Sequence, residues 1–147
     1  PFSSEAKLRG MRSLGRLTDL LGPYQAGGAF LLRAWAETNS GALEAYMKAY
    51  VTSLRQVLDP ANREASVALL MEKLQLTPEV ASAAYDQLVE PGFGFQHDAK
   101  LDLRGMDNML VTRAQTQGSD PRLAAIEAYV DEAWHRRALA ILSTCET

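Results

Sequence analysis

From Ser40 onward the apolar positions recur at a three-and-four spacing. Leu43, Tyr46, Met47, Tyr50, Val51, Leu54, Val57 and Leu58 fall on one face, which predicts a long amphipathic helix. Asp59-Pro60, Thr77-Pro78 and Asp120-Pro121 each set a capping oxygen before a proline at the first helical position, where the missing N–H costs nothing. Behind the first pair Val67, Leu70, Met71 and Leu74 form a stripe, and behind the second Val80, Ala81, Ala84, Tyr85, Leu88 and Val89 do the same. These predict helices of about 14 and 12 residues. Pro91-Gly92-Phe93-Gly94-Phe95-Gln96-His97 cannot continue a helix and reads as a loop with two aromatic residues. Asp102 then caps a helix with Leu103, Met106, Leu110, Val111 and Ala114 inward, closed by Gly118. After Asp120-Pro121 a last helix is expected to carry Leu123, Ile126, Val130, Ala133, Trp134, Arg137 and Ile141. The reading after Ser40 is therefore about five helices and no strand.

The first forty residues follow another pattern. Glu5 to Leu8 fits a short helix, and Gly10, Gly15, Gly22, Gly27 and Gly28 interrupt any longer one. Gly22-Pro23 marks a turn. Ala29-Phe30-Leu31-Leu32 is a compact apolar run that predicts a short buried strand, although periodicity alone also permits helix. One strand cannot satisfy its own backbone donors and acceptors. The fold class expected is thus mainly α, with one or two short strands before Ser40 that need partners from elsewhere.

The 147 residues suffice for one domain, and 47% hydrophobic with 22% charged residues is an ordinary globular composition. A formal charge of -3 argues against an electrostatic grip on nucleic acid or anionic lipid. Cys145 has no partner for an internal disulfide, and with His97 and His135 it makes no zinc-type spacing, so no metal or other cofactor is expected. No stretch reads as a membrane span or a signal peptide. A chain that starts on Pro1 rather than Met is expected to be a processed product or an excised piece.

Candidate chemistry is sparse. His97, His135 and Cys145 lack a nucleophile elbow or a cysteine signature around them, so no hydrolytic triad is expected. His135 reads as a boundary residue, and His97, in the glycine-rich loop, is the more interesting of the two. The carboxylate pairs Asp86 with Glu90 and Asp131 with Glu132 read as solvated helix faces. Gly92-x-Gly94 lacks the strand, helix and third glycine of a phosphate loop. Tyr46, Met47 and Tyr50 read as core. Tyr24-Gln25 is where a binding role competes with packing, because a phenol and an amide beside a Gly-Pro turn present hydrogen-bonding groups at a strand edge.

Gly22-Pro23-Tyr24-Gln25, Arg33-Ala34-Trp35-Ala36-Glu37-Thr38-Asn39, the stretch from Tyr46 to Tyr50, and Leu58-Asp59-Pro60-Ala61-Asn62-Arg63 occur in that order. With Leu70, Leu74, Pro78-Glu79, Ala84-Tyr85, Pro91-Gly92-Phe93-Gly94, Leu101-Asp102-Leu103 and Arg113, they resemble the carboxy-terminal part of type II periplasmic substrate-binding proteins of ABC transporters. The class nearest in pattern serves nitrate, sulfonate, taurine and thiamine-pyrimidine importers, and the likeness covers Leu21 to Ala138. It implies an α/β parent of about 300 residues, a length that makes two domains. Residues 1–22 would be an inter-lobe crossover, and residues 23–147 a strand plus the helical part of one lobe. Ala29 to Leu32 would join a sheet whose other strands lie upstream. The implied function is capture of a small polar or anionic molecule, without catalysis, for delivery to an ABC permease from a periplasmic or extracytoplasmic location. Tyr24 and Gln25 are the residues that match a position facing the ligand cleft. The expected apolar surface, mainly on the helices after Ser40, would drive self-association of the piece. The alternative is an autonomous helical interaction or dimerisation module with no small-molecule ligand. A thiamine-pyrimidine synthase is a third reading, with no visible catalytic residues to support it.

Overall fold

A computed structural model of the chain describes residues 2–118 and 125–145. Among these the protein is mainly helical, with eight α-helices and no strand. In chain order they are α1 (Phe2–Leu8), α2 (Leu17–Leu21), α3 (Arg33–Thr38), α4 (Ser40–Leu58), α5 (Arg63–Leu74), α6 (Pro78–Leu88), α7 (Leu103–Gln117) and α8 (Ala133–Cys145). Five of them follow Asn39, as the periodicity predicts.

The chain divides into two compact units, residues 1–15 with 52–99 and residues 16–51 with 100–147. In the first, α6 packs on both α5 and α1. Its buried apolar residues are Leu54, Val80, Ala81, Ala84 and Tyr85. The stripe expected on α6 therefore points inward, whereas Val67, Leu70 and Met71 of α5 are only half-buried and Leu74 is exposed. Two local devices start these helices. Asp59 accepts the Ala61 N–H at 2.9 Å across a single 3-10 turn at Pro60–Asn62, and the Thr77 hydroxyl accepts from Val80 N–H at 3.4 Å. The helix expected directly behind Pro60 consequently begins three residues later, at Arg63.

Tertiary side-chain contacts hold α5, α6 and the end of α4 together. Arg63 Nη2 donates to Ser82 Oγ at 2.8 Å and to Asp86 Oδ1 at 2.9 Å, and its guanidinium lies 5.4 Å from the centre of the Tyr85 ring. Tyr85 Oη donates to the Val57 carbonyl at 2.9 Å. Val57 is one residue from the end of α4, where carbonyls have no partner inside the helix, so the tyrosine satisfies one of them.

In the second unit Ala36, Leu43, Val51, Leu110 and Ala138 are buried. Along α4 the spacing Leu43, Met47, Val51, Leu54, Leu58 faces inward, but Tyr46 and Tyr50 do not join it. They are exposed and stack on each other with ring centres 6.1 Å apart. This corrects the expectation that both tyrosines are core. The apolar stripe is narrower than the sequence implied, and the two phenols, one turn apart, cover each other instead.

Three further expectations fail. The strand expected at Ala29 to Leu32 does not form: residues 22–32 are neither helix nor strand, and Leu32, in extended conformation, is the residue from which α3 starts. No other described segment offers it a ladder, and without one an apolar run stays exposed. Phe30 is 97% and Leu32 78% exposed. The last helix is also broken. Asp120-Pro121 and Leu123 lie outside the described residues, a 3-10 turn spans Ile126–Ala128, and α8 starts only at Ala133, whose N–H bonds Asp131 Oδ1 at 2.9 Å. An aspartate that satisfies a first-turn donor restarts the helix there. Large exposed apolar side chains concentrate before Ser40, at Phe2, Leu8, Met11, Leu14, Leu17, Leu20 and Phe30 to Trp35, rather than on the later helices as expected.

Candidate functional site

Tyr24 and Gln25 sit on the first turn of α7, both half-buried. Asp102 caps that helix by accepting the Arg104 and Gly105 N–H groups at 3.1 Å each, and Gly118 closes it in the left-handed conformation with φ 60°. Gln25 completes the start. Its Oε1 accepts the Asp102 N–H at 3.0 Å and its Nε2 donates to the Gly27 carbonyl at 2.5 Å. One turn along the helix, Asn108 Nδ2 donates to the carbonyls of Leu21 and, at 2.9 Å, Pro23. The segment from Leu21 to Gln25 is thereby fastened to α7 at both ends.

The contact is close because Gly105 has no side chain. A Cβ there would lie 2.8 Å from Gln25 N, 2.9 Å from Asp102 Oδ2 and 3.0 Å from the Tyr24 carbonyl carbon. Gln25 thus reads chemically as a clasp whose amide is engaged at both ends. Asn108, which holds the Leu21 and Pro23 carbonyls, and Gly105, which lets the turn approach, were not singled out by sequence reading. Their only signal is that an amide and a glycine sit one turn apart behind the Asp102 cap.

The second cluster lies around the aromatic loop. Arg55 Nε, on α4, donates to Asp98 Oδ1 at 2.6 Å, and His97 Nδ1 lies 3.3 Å from Asp98 Oδ2. The Arg55 hydrogen bond, then its charge and that of His97, hold the Asp98 carboxyl below its ordinary value against the opposing effect of burial. His97 itself is largely exposed. Asp98 thus bridges the Arg55 guanidinium and the His97 imidazole. Arg55 and Asp98 stand 43 positions apart, which explains why the sequence did not reveal their pairing.

The other candidates resolve into structural contacts. Asp86 bonds Arg63; Asp131 restarts α8 and lies 3.7 Å from Arg33; Glu132, just before α8, lies 3.8 Å from Arg136 in its first turn. His135 is half-buried on α8, next to Trp134, whose ring carries the Arg137 guanidinium at 4.9 Å. Among the described residues no three His, Cys, Asp or Glu side chains group as metal ligands, and no helix is long and apolar enough to cross a membrane. No family model, no curated protein and no solved structure matches the chain.

Proposed function

We propose that the chain is the carboxy-terminal portion of a type II periplasmic solute-binding protein that captures a small polar or anionic molecule for an ABC importer, without catalysis. The observation that carries this reading is the run Ala29 to Leu32. It is apolar, exposed, and among the described residues no hydrogen bond reaches the backbone of Ala29, Phe30 or Leu31. An apolar run with its backbone open to solvent is what a sheet strand would present if its neighbours lay on residues outside this chain. The family in this proposal rests on the resemblance of the ordered motifs from Gly22-Pro23-Tyr24-Gln25 to Arg113.

In this reading Tyr24 and Gln25 act differently. The engaged amide of Gln25 sets the backbone of the turn, and the Tyr24 phenol is left as the group for the ligand. Calorimetry of the protein together with the in-frame residues encoded upstream, titrated with nitrate, sulfonates, aromatic acids and pyrimidines, tests it. A micromolar Kd for one of them is expected, and no heat with any of them overturns the proposal.

The second reading, a helical association module, is favoured by the exposed apolar side chains before Ser40. Sedimentation of this chain alone separates the two. Self-association that persists when the upstream residues are restored belongs to the module, and association that disappears belongs to a fragment with an uncovered surface.

A further inference from the structure

We propose that the segment from Lys7 to Gly15 docks the first unit on an anionic lipid surface. The end of α1 closes with Gly10 N–H bonded to the Lys7 carbonyl at 2.9 Å and Met11 N–H to the Ala6 carbonyl at 3.0 Å, and residues 11–16 are then neither helix nor strand. Every residue from Lys7 to Gly15 is exposed, Leu14 to 91%. A Cβ added at Gly10 or Gly15 would meet no atom within 4 Å, so nothing crowds the stretch at either glycine. A single exposed leucine needs no explanation. Here Leu8, Met11 and Leu14 are exposed together and recur at every third position. Three is the repeat of an extended polyproline-type backbone, in which these side chains would share one edge and Arg9 and Arg12 the next.

Charge decides what such an edge faces. The chain as a whole is acidic, yet between Glu5 and Asp19 it carries Lys7, Arg9, Arg12 and Arg16 and no carboxylate. Arg9 pairs with Glu5 at 2.5 Å, whereas Lys7 and Arg12 enter no ion pair among the described residues. The net charge of -3 does not cancel this patch from a distance, because the fields of exposed charges fade over about 8 Å at physiological salt. Cations interleaved with long aliphatic side chains match the boundary of an anionic bilayer, where phosphates meet the first methylenes. A nucleic-acid strand would be met by aromatic side chains for stacking, and residues 7–15 hold none. So short a stretch, with a cation at every second or third position, lies on a bilayer rather than crosses it. This inference stands apart from the solute-binding proposal, since it needs neither a solute nor the upstream residues.

Cosedimentation of the chain with vesicles rich in phosphatidylglycerol, set against vesicles of phosphatidylcholine alone, tests the docking. Binding is expected to the anionic vesicles and not to the neutral ones, with release as salt rises from about 0.1 to about 1 M and the screening length shrinks from about 10 to about 3 Å. Lys7→Gln combined with Arg12→Gln is expected to weaken partitioning about thirtyfold, roughly fivefold for each cation. Lys100→Gln combined with Arg104→Gln removes the same charge at exposed positions elsewhere and is expected to change it less than about twofold. Leu14→Ser is expected to cost about tenfold through lost apolar burial. All five substitutions fall on exposed side chains, so the fold is expected to survive them. The proposal is overturned by absence of binding to the anionic vesicles, by equal binding to the neutral ones, or by an equal loss in the Lys100 and Arg104 control. It is overturned as well by a Leu14→Ser protein that partitions as the wild type does, which would mark a grip on any polyanion rather than on lipid.

Discussion

Glycine-to-alanine exchange at Gly105 is the sharpest test of the clasp between Gln25 and α7, because two effects of opposite sign meet there. Alanine is the better helix former by roughly 1 kcal/mol, so on propensity alone the change stabilises α7. The structure places the new methyl 2.8 Å from Gln25 N and 3.0 Å from the Tyr24 carbonyl carbon, both backbone atoms that cannot step aside as a flexible side chain can. Overpacking of this kind costs about 1–3 kcal/mol. Displacing the turn also endangers the 3.0 Å bond from Asp102 N–H to Gln25 Oε1, which contributes about 0.5–1.5 kcal/mol. The costs exceed the gain, and the net is a loss of about 1–3 kcal/mol. Hydrogen exchange resolved by peptide is the assay, since it reads the opening of each helix separately. Amides of the first turns of α7 and of residues 21–27 are expected to exchange roughly 5- to 150-fold faster, the ratio that this loss implies. Gly41, in the first turn of α4, is the matched control: a Cβ there meets nothing within 4 Å, and Gly41→Ala is expected to slow exchange up to about fivefold. If Gly105→Ala protects α7 as Gly41→Ala protects α4, the close approach of the Tyr24–Gln25 backbone is refuted.

Three other outcomes follow from single side chains. Tyr85→Phe removes the hydroxyl that caps the Val57 carbonyl and should lower stability of the first unit by about 0.5–1.5 kcal/mol in urea titration, while Tyr85→Ala, which empties a site only 3% exposed, should cost about 3–5 kcal/mol. Ser4 Oγ is buried on α1 with no hydrogen-bond partner among the described residues, so Ser4→Ala should raise stability by about 1 kcal/mol; an unchanged or lower melting temperature counts against that orphaned hydroxyl. The Asp98 carboxyl titrates lower when folded than when unfolded, so its contribution is complete above the unfolded value near 4 and fades as pH falls toward the depressed folded value. The gap between the melting curves of wild type and Asp98→Asn should thus be constant from pH 7 to about 5 and narrow steadily as pH falls below about 4; a gap that stays constant or widens on acidification contradicts the assignment.

The comparison of chain and structure divides along the range of the interactions. Thr77, Asp102 and Gly118 were legible because a cap acts within three or four residues: its oxygen or its left-handed backbone meets donors and acceptors fixed by the helix it begins or ends. The inward face of α6 was legible for the same reason, since a period of 3.6 residues turns spacing directly into direction. Short-range signals misled where tertiary partners decide. Tyr46 and Tyr50 have the correct spacing for a core stripe yet face outward, because hydrophobic spacing gives the phase of a face but not how wide a strip its neighbours cover. Ala29 to Leu32 has the composition of a strand, but a strand exists only in a ladder, and none of the described residues builds one.

The candidate site was half legible. Gly-Pro followed by Tyr24 and Gln25 announced a turn with polar groups, and the turn is there. What its amide does was beyond reach, because the partner of Gln25 lies 77 positions away at the Asp102 cap, and nothing in local composition links the two. The same holds for Arg55 and Asp98.

By itself the sequence determined the helical class, the starts of α6 and α7, the close of α7 and the loop after α6, all of which arise from hydrogen bonds and sterics within about one helical turn. Only the tertiary structure decided that Gln25 clasps α7, that Arg55 reaches Asp98, that the helix around Ile126 breaks and restarts at Ala133, and that the run before Arg33 is left without a sheet. Those outcomes depend on which distant groups meet, and on the relative cost of leaving a buried donor, a charge or an apolar side chain without a partner.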